Sequence, residues 1–407
     1  MVQKSYDWTG GAVLGEHSKR KHKILREYFY KYLKVKCINP QQSNFRLAII
    51  DGFSGGGRYQ CGSPGSPLIF IEELKRAYED INKSRSLQKL KAIEFDCLII
   101  CNDTECDAIE SLKKHIKPYQ DEIAEVSPGL KIQVDYFSCK FEELYYNIKQ
   151  RIQYRPFSNV IFNLDQCGYT HVSKEIITDI MDSFKSAEIF YTFMVDGLLK
   201  YAPPSDFDML KQRLTPLEIS DDKLRSLSVN LNKKEWLGAA EQMVFENFKT
   251  CSRFLTPFSI KHSGGYRYWL MHFSKNYRAR QEYNNVLHDN ANFQAHYGRA
   301  GLDMLSYNPA EEGTLYLFDQ EARIKAKLQL YDDVPRYISK TGGILIKDFY
   351  ANIYNNTPAH SDDINYAIIK NPDIEVLTNS GGFRRKFSTI KPNDVIKLKD
   401  QKSFIFF

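Results

Sequence analysis

The feature that most constrains the fold is an apolar strand that ends on a carboxylate and passes directly into a glycine-rich turn. The sequence there reads Ile49-Ile50-Asp51-Gly52-Phe53-Ser54-Gly55-Gly56-Gly57. A turn without Cβ atoms lets the backbone come close to a ligand, and glycine takes positive φ without strain. A carboxylate at the strand end can hold a ligand's hydroxyl or ammonium group. The segment predicts a ligand site, with a strand–helix turn that binds nothing as the alternative.

The spacing of the glycines argues against a dinucleotide site. The fingerprint G-x-G-x-x-G, started at Gly55, needs glycine at position 60, where this chain has Gln60. An NAD-dependent oxidoreductase is therefore disfavoured. The order acid, aromatic, Gly-x-Gly instead resembles the first motif of class I S-adenosylmethionine-dependent methyltransferases.

Composition indicates a globular chain with reduced thiols. At 407 residues and 43% hydrophobic residues, two domains or one elaborated domain are expected. No apolar run approaches the ~20 residues that span a bilayer, and residues 1–7 lack a signal-peptide core. Eight scattered cysteines favour a cytoplasmic protein. The spacing of Cys97, Cys101 and Cys106 fits neither a radical-SAM loop nor a zinc site, so we expect buried thiols and no metal.

Short apolar segments alternate with helical periodicity, which predicts parallel βαβ units in an open, doubly wound α/β sheet. An amphipathic helix is expected over 18–36, with further helices at 66–78, 108–115, 141–152 and 175–184. The seven predicted strands are 46–51, 95–101, 131–137, 159–164, 188–195, 266–273 and 314–318. This is the number of strands in a class I methyltransferase sheet. A helical segment separates the last two, which are normally a hairpin.

The chain is expected to contain two domains. Residues 1–319 form the methyltransferase-like domain, in which 198–260 is a helical insertion or lid. Residues 320–407 read as helices at 321–338, 344–355 and 361–370, then a hairpin of 374–378 and 383–387 around a glycine turn. Three helices followed by a hairpin predict a winged helix, which binds either nucleic acid or another protein.

Polar or glycine residues follow each of the first four predicted strands, where an open α/β sheet binds its ligand. The candidate cofactor-binding residues are Asp51, Phe53, Ser54, Gly55, Gly57, Asp103, Phe137 and Asn163. Asp103 can accept hydrogen bonds from both hydroxyls of a ribose. Its distance from Asp51 exceeds the ~20 residues usual in nucleotide-binding units. We interpret the charged stretch 79–91 as a looped-out insertion.

Several short motifs together resemble the three-Cys-motif partner protein family, over roughly residues 15–307. They are Gly15-Glu16-His17-Ser18, Lys21-His22, Ile24-Leu25, Tyr28, the segment 51–59, Gly65-Ser66-Pro67, Asp165 with Gly168, and 266–292. The resemblance implies a methyltransferase-like fold, S-adenosylmethionine as cofactor, and a radical-SAM-like partner that carries the three cysteines. It also implies a role in mobile-element or phage-related biology, such as phage defence.

The fourth motif departs from this family. Its usual Asp-Pro-aromatic-Gly is replaced by Asp165-Gln166-Cys167-Gly168, with Tyr169 following. We take Asp165 as base or substrate anchor and Tyr169 as a stacking surface for a flipped base. Cys167 is a candidate nucleophile of the kind that cytosine C5 methyltransferases use, with an incidental small residue as the alternative.

Two basic segments are candidates for binding phosphates. The helix over 18–36 carries eight cations and one anion, among them Lys19 and Lys21. The predicted wing carries Arg384, Arg385 and Lys386. The leading hypothesis is a methyltransferase acting on DNA or RNA. The alternative is a non-catalytic nucleic-acid-binding or adaptor subunit that works with the radical-SAM-like partner.

Overall fold

A computed structural model describes most of the chain. The described residues are 8, 11–155, 157–199, 207–227, 233–261, 267–290, 295–296, 301–303, 305, 316–317 and 320–400. The chain divides into two compact units, Met1–Lys275 and Asn276–Phe407.

The first unit alternates strands and helices along most of its length. Its strands are β1 Asn44–Asp51, β2 Glu94–Asn102, β3 Leu130–Phe137, β4 Asn159–Leu164, β5 Ser186–Phe193, β6 Phe254–Lys261 and β7 Arg267–Ser274. Its helices are α1 Glu16–Lys36, α2 Ser66–Leu87, α3 Cys106–Val126, α4 Phe141–Tyr154, α5 Lys174–Ser183, α6 Val195–Leu199, α7 Phe207–Leu214, α8 Asp221–Ser226 and α9 Lys233–Lys249.

These strands form one seven-stranded sheet in the order β3-β2-β1-β4-β5-β7-β6. Strands β1 to β5 are parallel, and β7 runs antiparallel to both β5 and β6. The predicted doubly wound α/β sheet is confirmed. Because β1 lies between β2 and β4, the turn that follows β1 opens at the middle of the carboxyl edge.

The seventh strand differs from the prediction. It is β6, in a segment that sequence analysis assigned to the insertion over 198–260, and it forms an antiparallel hairpin with β7. Pro257 explains the error, because proline is tolerated in a strand at the sheet edge, where β6 lies. Of the predicted strand 314–318, the described part is Tyr316–Leu317, which pairs with Ala295–His296 in a separate two-stranded sheet.

Helix α1 buries the predicted apolar face. Its buried residues are Ile24, Leu25, Tyr28, Phe29, Tyr32 and Leu33. The Phe29 ring meets the Phe70 ring of α2 edge to face, with centroids 4.9 Å apart. Burial of each such side chain stabilises the fold by roughly 1.5–3 kcal/mol. Helix α2 continues to Leu87, so the interpretation of 79–91 as a looped-out insertion is wrong; Ile81 and Arg85 are buried and hold this part in the helix.

The second unit combines helices with a small antiparallel sheet. Its elements are α10 Tyr277–Asp289, β8 Ala295–His296, β9 Tyr316–Leu317, α11 Gln320–Thr341, β10 Ile344–Leu345, α12 Ile346–Ile353, α13 Ser361–Lys370, β11 Ile374–Leu377 and β12 Val395–Leu398. Strands β10, β12 and β11 form the sheet in that order. The predicted hairpin of 374–378 with 383–387 forms only in part. The segment pairs back at Phe383 with Leu377, and the full antiparallel partner of β11 is β12.

Helix α10 belongs to this second unit. The buried Arg280 donates through Nε to the Tyr354 carbonyl at 3.0 Å, at the end of α12. His288 Nε2 also lies 2.8 Å from the Pro358 carbonyl oxygen. The boundary between the two compact units therefore lies between Lys275 and Asn276, whereas the sequence predicts a domain boundary at 319/320.

Candidate cofactor and acceptor site

The turn after β1 is fixed to both neighbouring strands. Asp51 pairs in register with Cys101 of β2 and Asn163 of β4. The Gly52 amide donates to the Asn163 carbonyl at 3.0 Å, and the Ser54 amide donates to the Asn102 carbonyl at 2.8 Å. The hydroxyl of Ser54 donates to the Asp51 carbonyl at 2.9 Å. These bonds make Ser54 part of the turn's framework.

Two features of the turn require glycine: backbone angles with positive φ and a lack of space for a Cβ atom. Gly55 and Gly57 have φ of 60° and 89°, in the left-handed region that favours glycine. A Cβ on Gly55 or Gly56 would also overlap the indole ring of Trp8. The Trp8 indole therefore covers the backbone that the sequence assigns to close approach of a ligand.

The carboxylate of Asp103 lies directly beside this turn. Its Oδ2 accepts a hydrogen bond from the Gly55 amide at 2.9 Å, and its Oδ1 accepts one from the Glu105 amide at 3.1 Å. The β1–β2 register therefore brings the two predicted cofactor segments together despite their separation in sequence. Each oxygen keeps a lone pair for a further donor such as a ribose hydroxyl.

Asp51 is a fully buried carboxylate that lacks hydrogen bonds of ordinary geometry. It is 0% exposed, and no described group donates to either of its oxygens. Burial raises its pKa to about 7, although Ser66 and Asn163 lie close enough to offset part of that effect. An unpaired buried carboxylate is costly, which fits a site completed by a cationic ligand.

Asp165 is paired with a lysine from α1. Lys21 Nζ lies 2.5 Å from Oδ1 and 2.6 Å from Oδ2 of Asp165. Burial alone would raise the pKa of Asp165, but the charge and hydrogen bonds of Lys21, together with Thr192 and His22, outweigh it and the pKa is lowered. Burial, together with Lys21, lowers the pKa of His22 to about 4. At neutral pH the group is therefore an ammonium–carboxylate pair beside a neutral imidazole.

These side chains line one small cavity. Its walls are formed by Lys21, His22, Leu25, Ser66, Asn163, Asp165, Phe190, Thr192 and Leu270. Ser66 and Thr192 are site residues that the sequence analysis did not assign. Thr192 belongs to the carboxyl end of β5, so the rule that ligands bind at strand ends, applied to a fifth strand, would have found it.

Gln166 has a structural role that explains the altered fourth motif. It is buried, donates through Nε2 to the Tyr191 hydroxyl at 2.7 Å, and accepts from the His171 amide at 2.9 Å. Proline in its place could not make these bonds. The glutamine therefore fixes the loop after β4 directly next to Asp165.

The other predicted catalytic residues lie in the same loop. Cys167 is exposed, and local desolvation of its thiol together with the nearby Asp165 raises its pKa. This disfavours a thiolate nucleophile at neutral pH. Tyr169 is half-buried, with its ring 6.3 Å from that of Phe193 at the end of β5.

The two predicted aromatic cofactor residues lie at the same edge of the sheet, one on each side of β2. Phe53 is half-buried, with its ring 6.0 Å from that of Phe141 and 6.3 Å from that of His171. Phe137 ends β3 opposite Asn102 and is also half-buried. Both positions are compatible with an adenosine beside Asp103.

The predicted phosphate-binding cations have different environments. Lys21 belongs to the cavity, and Lys19 pairs with Glu16 on the surface of α1 at 2.5 Å. Arg384 forms a two-point ion pair with Asp394, at 2.8 and 3.1 Å. Arg385 and Lys386 are exposed.

Within the described ranges, no group of three or more His, Cys, Asp or Glu side chains could hold a metal ion. The eight cysteines are free thiols, of which Cys97 and Cys101 are buried as expected, whereas Cys106 is exposed. Of the helices that the structure describes, none has both the length and the apolar character needed to cross a bilayer.

Comparison with known proteins gives distant structural likenesses. No protein-family model matches the chain, and no curated protein matches it. Trm1 from Pyrococcus horikoshii with S-adenosyl-L-methionine is 13% identical over 96% of this chain and 95% of that chain, with a TM-score of 0.31. The O-methyltransferase TomG from Streptomyces achromogenes, in complex with SAM, is 12% identical over 63% and 80%, with a TM-score of 0.26. A putative rRNA-methylase from Clostridium thermocellum is 8% identical over 60% and 95%, with a TM-score of 0.23.

We assign the fold class from the sheet itself, since likenesses this weak carry no functional argument. A sheet ordered β3-β2-β1-β4-β5-β7-β6, with β7 antiparallel to its neighbours, is the class I methyltransferase sheet. The predicted methyltransferase-like fold is confirmed.

The raised pKa of Asp51 predicts a pH-dependent stability term. The folded-state pKa of about 7 exceeds the ordinary 3.8, so the folded chain holds a proton that the unfolded chain releases within this window. Stability is therefore lost as pH rises through that window. Between pH 5 and pH 8, the parent should therefore lose about 2–3 kcal/mol more of its unfolding free energy than Asp51→Asn loses. Urea unfolding of both proteins at pH 5 and pH 8 measures this difference. The same change of unfolding free energy with pH in both proteins would contradict it.

Gln166→Ala should destabilise the first unit. The change removes the acceptor of the His171 amide and the donor to the buried Tyr191 hydroxyl, at a cost of about 2–3 kcal/mol. Chemical denaturation measures the loss. Gln133→Ala, at an exposed glutamine, is the control and should stay within about 0.5 kcal/mol of the parent. A Gln166→Ala loss no larger than that of the control would show that the loop does not need this side chain.

Proposed function

We propose that this protein is an S-adenosylmethionine-dependent methyltransferase that acts on nucleic acid. The observation that carries the proposal is the arrangement at the carboxyl edge of the sheet. Asp103 follows β2, the buried Asp51 and the glycine turn follow β1, and Asp165 follows β4. Across these three neighbouring strands, the residues run from the cofactor side of the site to the acceptor side.

The residues at this edge fit the parts of S-adenosylmethionine. Asp51, whose oxygens lack hydrogen bonds of ordinary geometry, would accept the ammonium group of the methionine part. The backbone of Gly55 to Gly57 would lie along the ligand once the Trp8 indole that covers it moved aside, and Asp103 would accept from the ribose hydroxyls. When bound, the sulfonium supplies an electrophilic methyl group, so the protein's contribution is mainly to position the acceptor.

Asp165 is the proposed acceptor-orienting residue. The Lys21 ammonium keeps it ionised, and an ionised carboxylate can accept a hydrogen bond or a proton from an acceptor group. His22 is neutral at pH 7, so its ring can offer a hydrogen-bond acceptor in the same cavity. A nucleophilic role for Cys167 is not part of the proposal, because its pKa is raised.

The second unit supports nucleic acid as the substrate. Helices α11, α12 and α13 with the sheet β10-β12-β11 follow the element order of a winged helix, and we propose that assignment. The chain has a net charge of +6, and Arg385 and Lys386 are exposed beside the loop after β11. Exposed cations of this kind bind phosphates without reading sequence. We propose that the protein acts in the cytoplasm.

One observation favours the alternative of a non-catalytic subunit. Lys21 already contacts both oxygens of Asp165, and the proline of the usual fourth motif is absent. In this alternative the protein keeps the cofactor pocket but serves as a binding or adaptor subunit. Its partner would be the radical-SAM-like three-Cys-motif protein that the sequence resemblance implies, with phage defence as a setting.

Asp165→Asn should separate the two functions. The substitution keeps the shape but removes the charge, so we expect the methyl-transfer rate to fall about 10²- to 10⁴-fold. Binding of S-adenosylhomocysteine should change little. The full chain is incubated with labelled S-adenosylmethionine and, separately, single-stranded DNA, duplex DNA, RNA and tRNA.

The matched control for this experiment is Asp179→Asn. Asp179 is another carboxylate paired with a lysine, Lys149 at 2.8 Å, but it lies on α5 outside the cavity. Its substitution should leave transfer unchanged. Cofactor binding without transfer to any polymer would support the adaptor subunit, and full activity in Asp165→Asn would remove Asp165 from the mechanism.

Trp8 should report cofactor binding directly. Its indole covers Gly55 and Gly56, whereas Trp236 and Trp269 are 2% and 0% exposed in the core. A ligand that approaches the turn must change the surroundings of this indole. We expect S-adenosylhomocysteine to shift the tryptophan emission of the parent, and Trp8→Phe to abolish the shift. Unchanged emission while calorimetry shows saturable binding would place the ligand elsewhere.

A further inference from the structure

The second unit exposes aromatic rings and cations close together in the chain. Tyr366, Phe383 and Phe387 are 45%, 62% and 38% exposed. Large aromatic side chains are usually buried, so three exposed rings in one small unit indicate a binding surface. We use the name aromatic–basic face for one set of residues: Tyr366, Lys370, Phe383, Arg385, Lys386 and Phe387.

Ring contacts join Tyr366, Lys370 and Phe387, and the remaining members of the face directly precede Phe387 in the chain. The Tyr366 and Phe387 rings meet edge to face, with centroids 6.0 Å apart. Lys370 Nζ lies 5.7 Å from the centroid of the Tyr366 ring. Arg385 and Lys386 lie between the two phenylalanines in the chain, and neither forms an ion pair with another described residue.

Arg384 holds this segment in place and does not belong to the face. Its side chain makes the two-point ion pair with Asp394, which also accepts from the Lys391 amide at 2.7 Å. The Arg384 amide donates to the Val376 carbonyl at 2.9 Å. With Arg384 turned inward, its exposed neighbours Phe383 and Arg385 project outward. The rings are therefore presented by an ordered segment.

From this arrangement we infer that the aromatic–basic face binds single-stranded nucleic acid, with bases stacked on its rings and phosphates on its cations. Bases have accessible faces only when they are unpaired, and base–aromatic stacking needs such faces. The inference deepens the proposed function, because it names the form of the nucleic acid.

Helix α13 gives an independent reason to prefer single strands over a duplex. A recognition helix in a major groove contacts bases with its N-terminal residues. The first turn of α13 carries Asp362 and Asp363, and Asp362 is exposed. Asp363 pairs with Lys327 at 2.9 Å, but the exposed carboxylate of Asp362 repels the phosphates that line a groove. The rings and cations lie instead toward the C-terminal end of α13 and on the segment after β11.

Fluorescence anisotropy of the full chain tests the inference without cofactor. The probes are labelled 20-nucleotide single-stranded DNA and RNA and a duplex of the same sequence. We expect at least about tenfold tighter binding to one or both single strands than to the duplex. Phe383→Ala should weaken that binding about 5- to 100-fold, which corresponds to the loss of one stacked base. Phe383→Trp should retain it.

Two further variants separate stacking from charge. Arg385→Ala should reduce the salt dependence of binding by about one phosphate contact, whereas Phe383→Ala should leave it unchanged. Tyr154→Ala removes an aromatic residue that is 93% exposed on α4 and should have no effect. Equal or tighter duplex binding, no binding to any probe, or parent-like binding by folded Phe383→Ala would overturn the inference. Since no cofactor is present, such a failure leaves the methyl-transfer test intact.

Discussion

The register of β1 with β2 and β4 is the constraint on which the rest of the site depends. It brings Asp51, Asp103 and Asp165 to one edge of the sheet, although the chain separates them widely. Hydrogen bonds from the turn to both neighbouring strands keep that edge fixed. The cost is a buried carboxylate at the centre of the edge, whose pKa is raised to about 7. A ligand with a positive charge would relieve that cost, so the folded chain is prepared for one kind of ligand.

A second carboxylate at the same edge of the sheet has the opposite environment. Lys21 keeps Asp165 ionised, whereas Asp51 holds its proton more tightly than usual. Two neighbouring carboxylates with pKa values pushed apart can serve different tasks, one for a cationic ligand and one for an acceptor. Gln166 supports this division, because it fixes the loop after β4 without the proline of related motifs.

Much of the sheet could be predicted from sequence, because buried parallel strands read as short apolar runs. The strand 159–164 and the helix 361–370 have the predicted bounds, and Asp103 lies against Gly55 of the glycine turn. Strand β6 was missed because Pro257 is usually a strand breaker and is tolerated only at an edge. The pairing of Lys21 with Asp165 joins residues 144 positions apart and has no local signal, so Lys21 was assigned to phosphate binding. Likewise, the inward ion pair of Arg384 depends on tertiary structure.

Isothermal titration calorimetry with S-adenosylhomocysteine tests the central claim most directly. We expect saturable heat at one site per chain. We also expect proton release near pH 6–7, seen as a dependence on buffer ionisation enthalpy, because an ammonium beside Asp51 lowers its raised pKa. Asp51→Asn should bind more weakly and release no such proton. Absence of binding heat for both S-adenosylhomocysteine and S-adenosylmethionine would contradict the account.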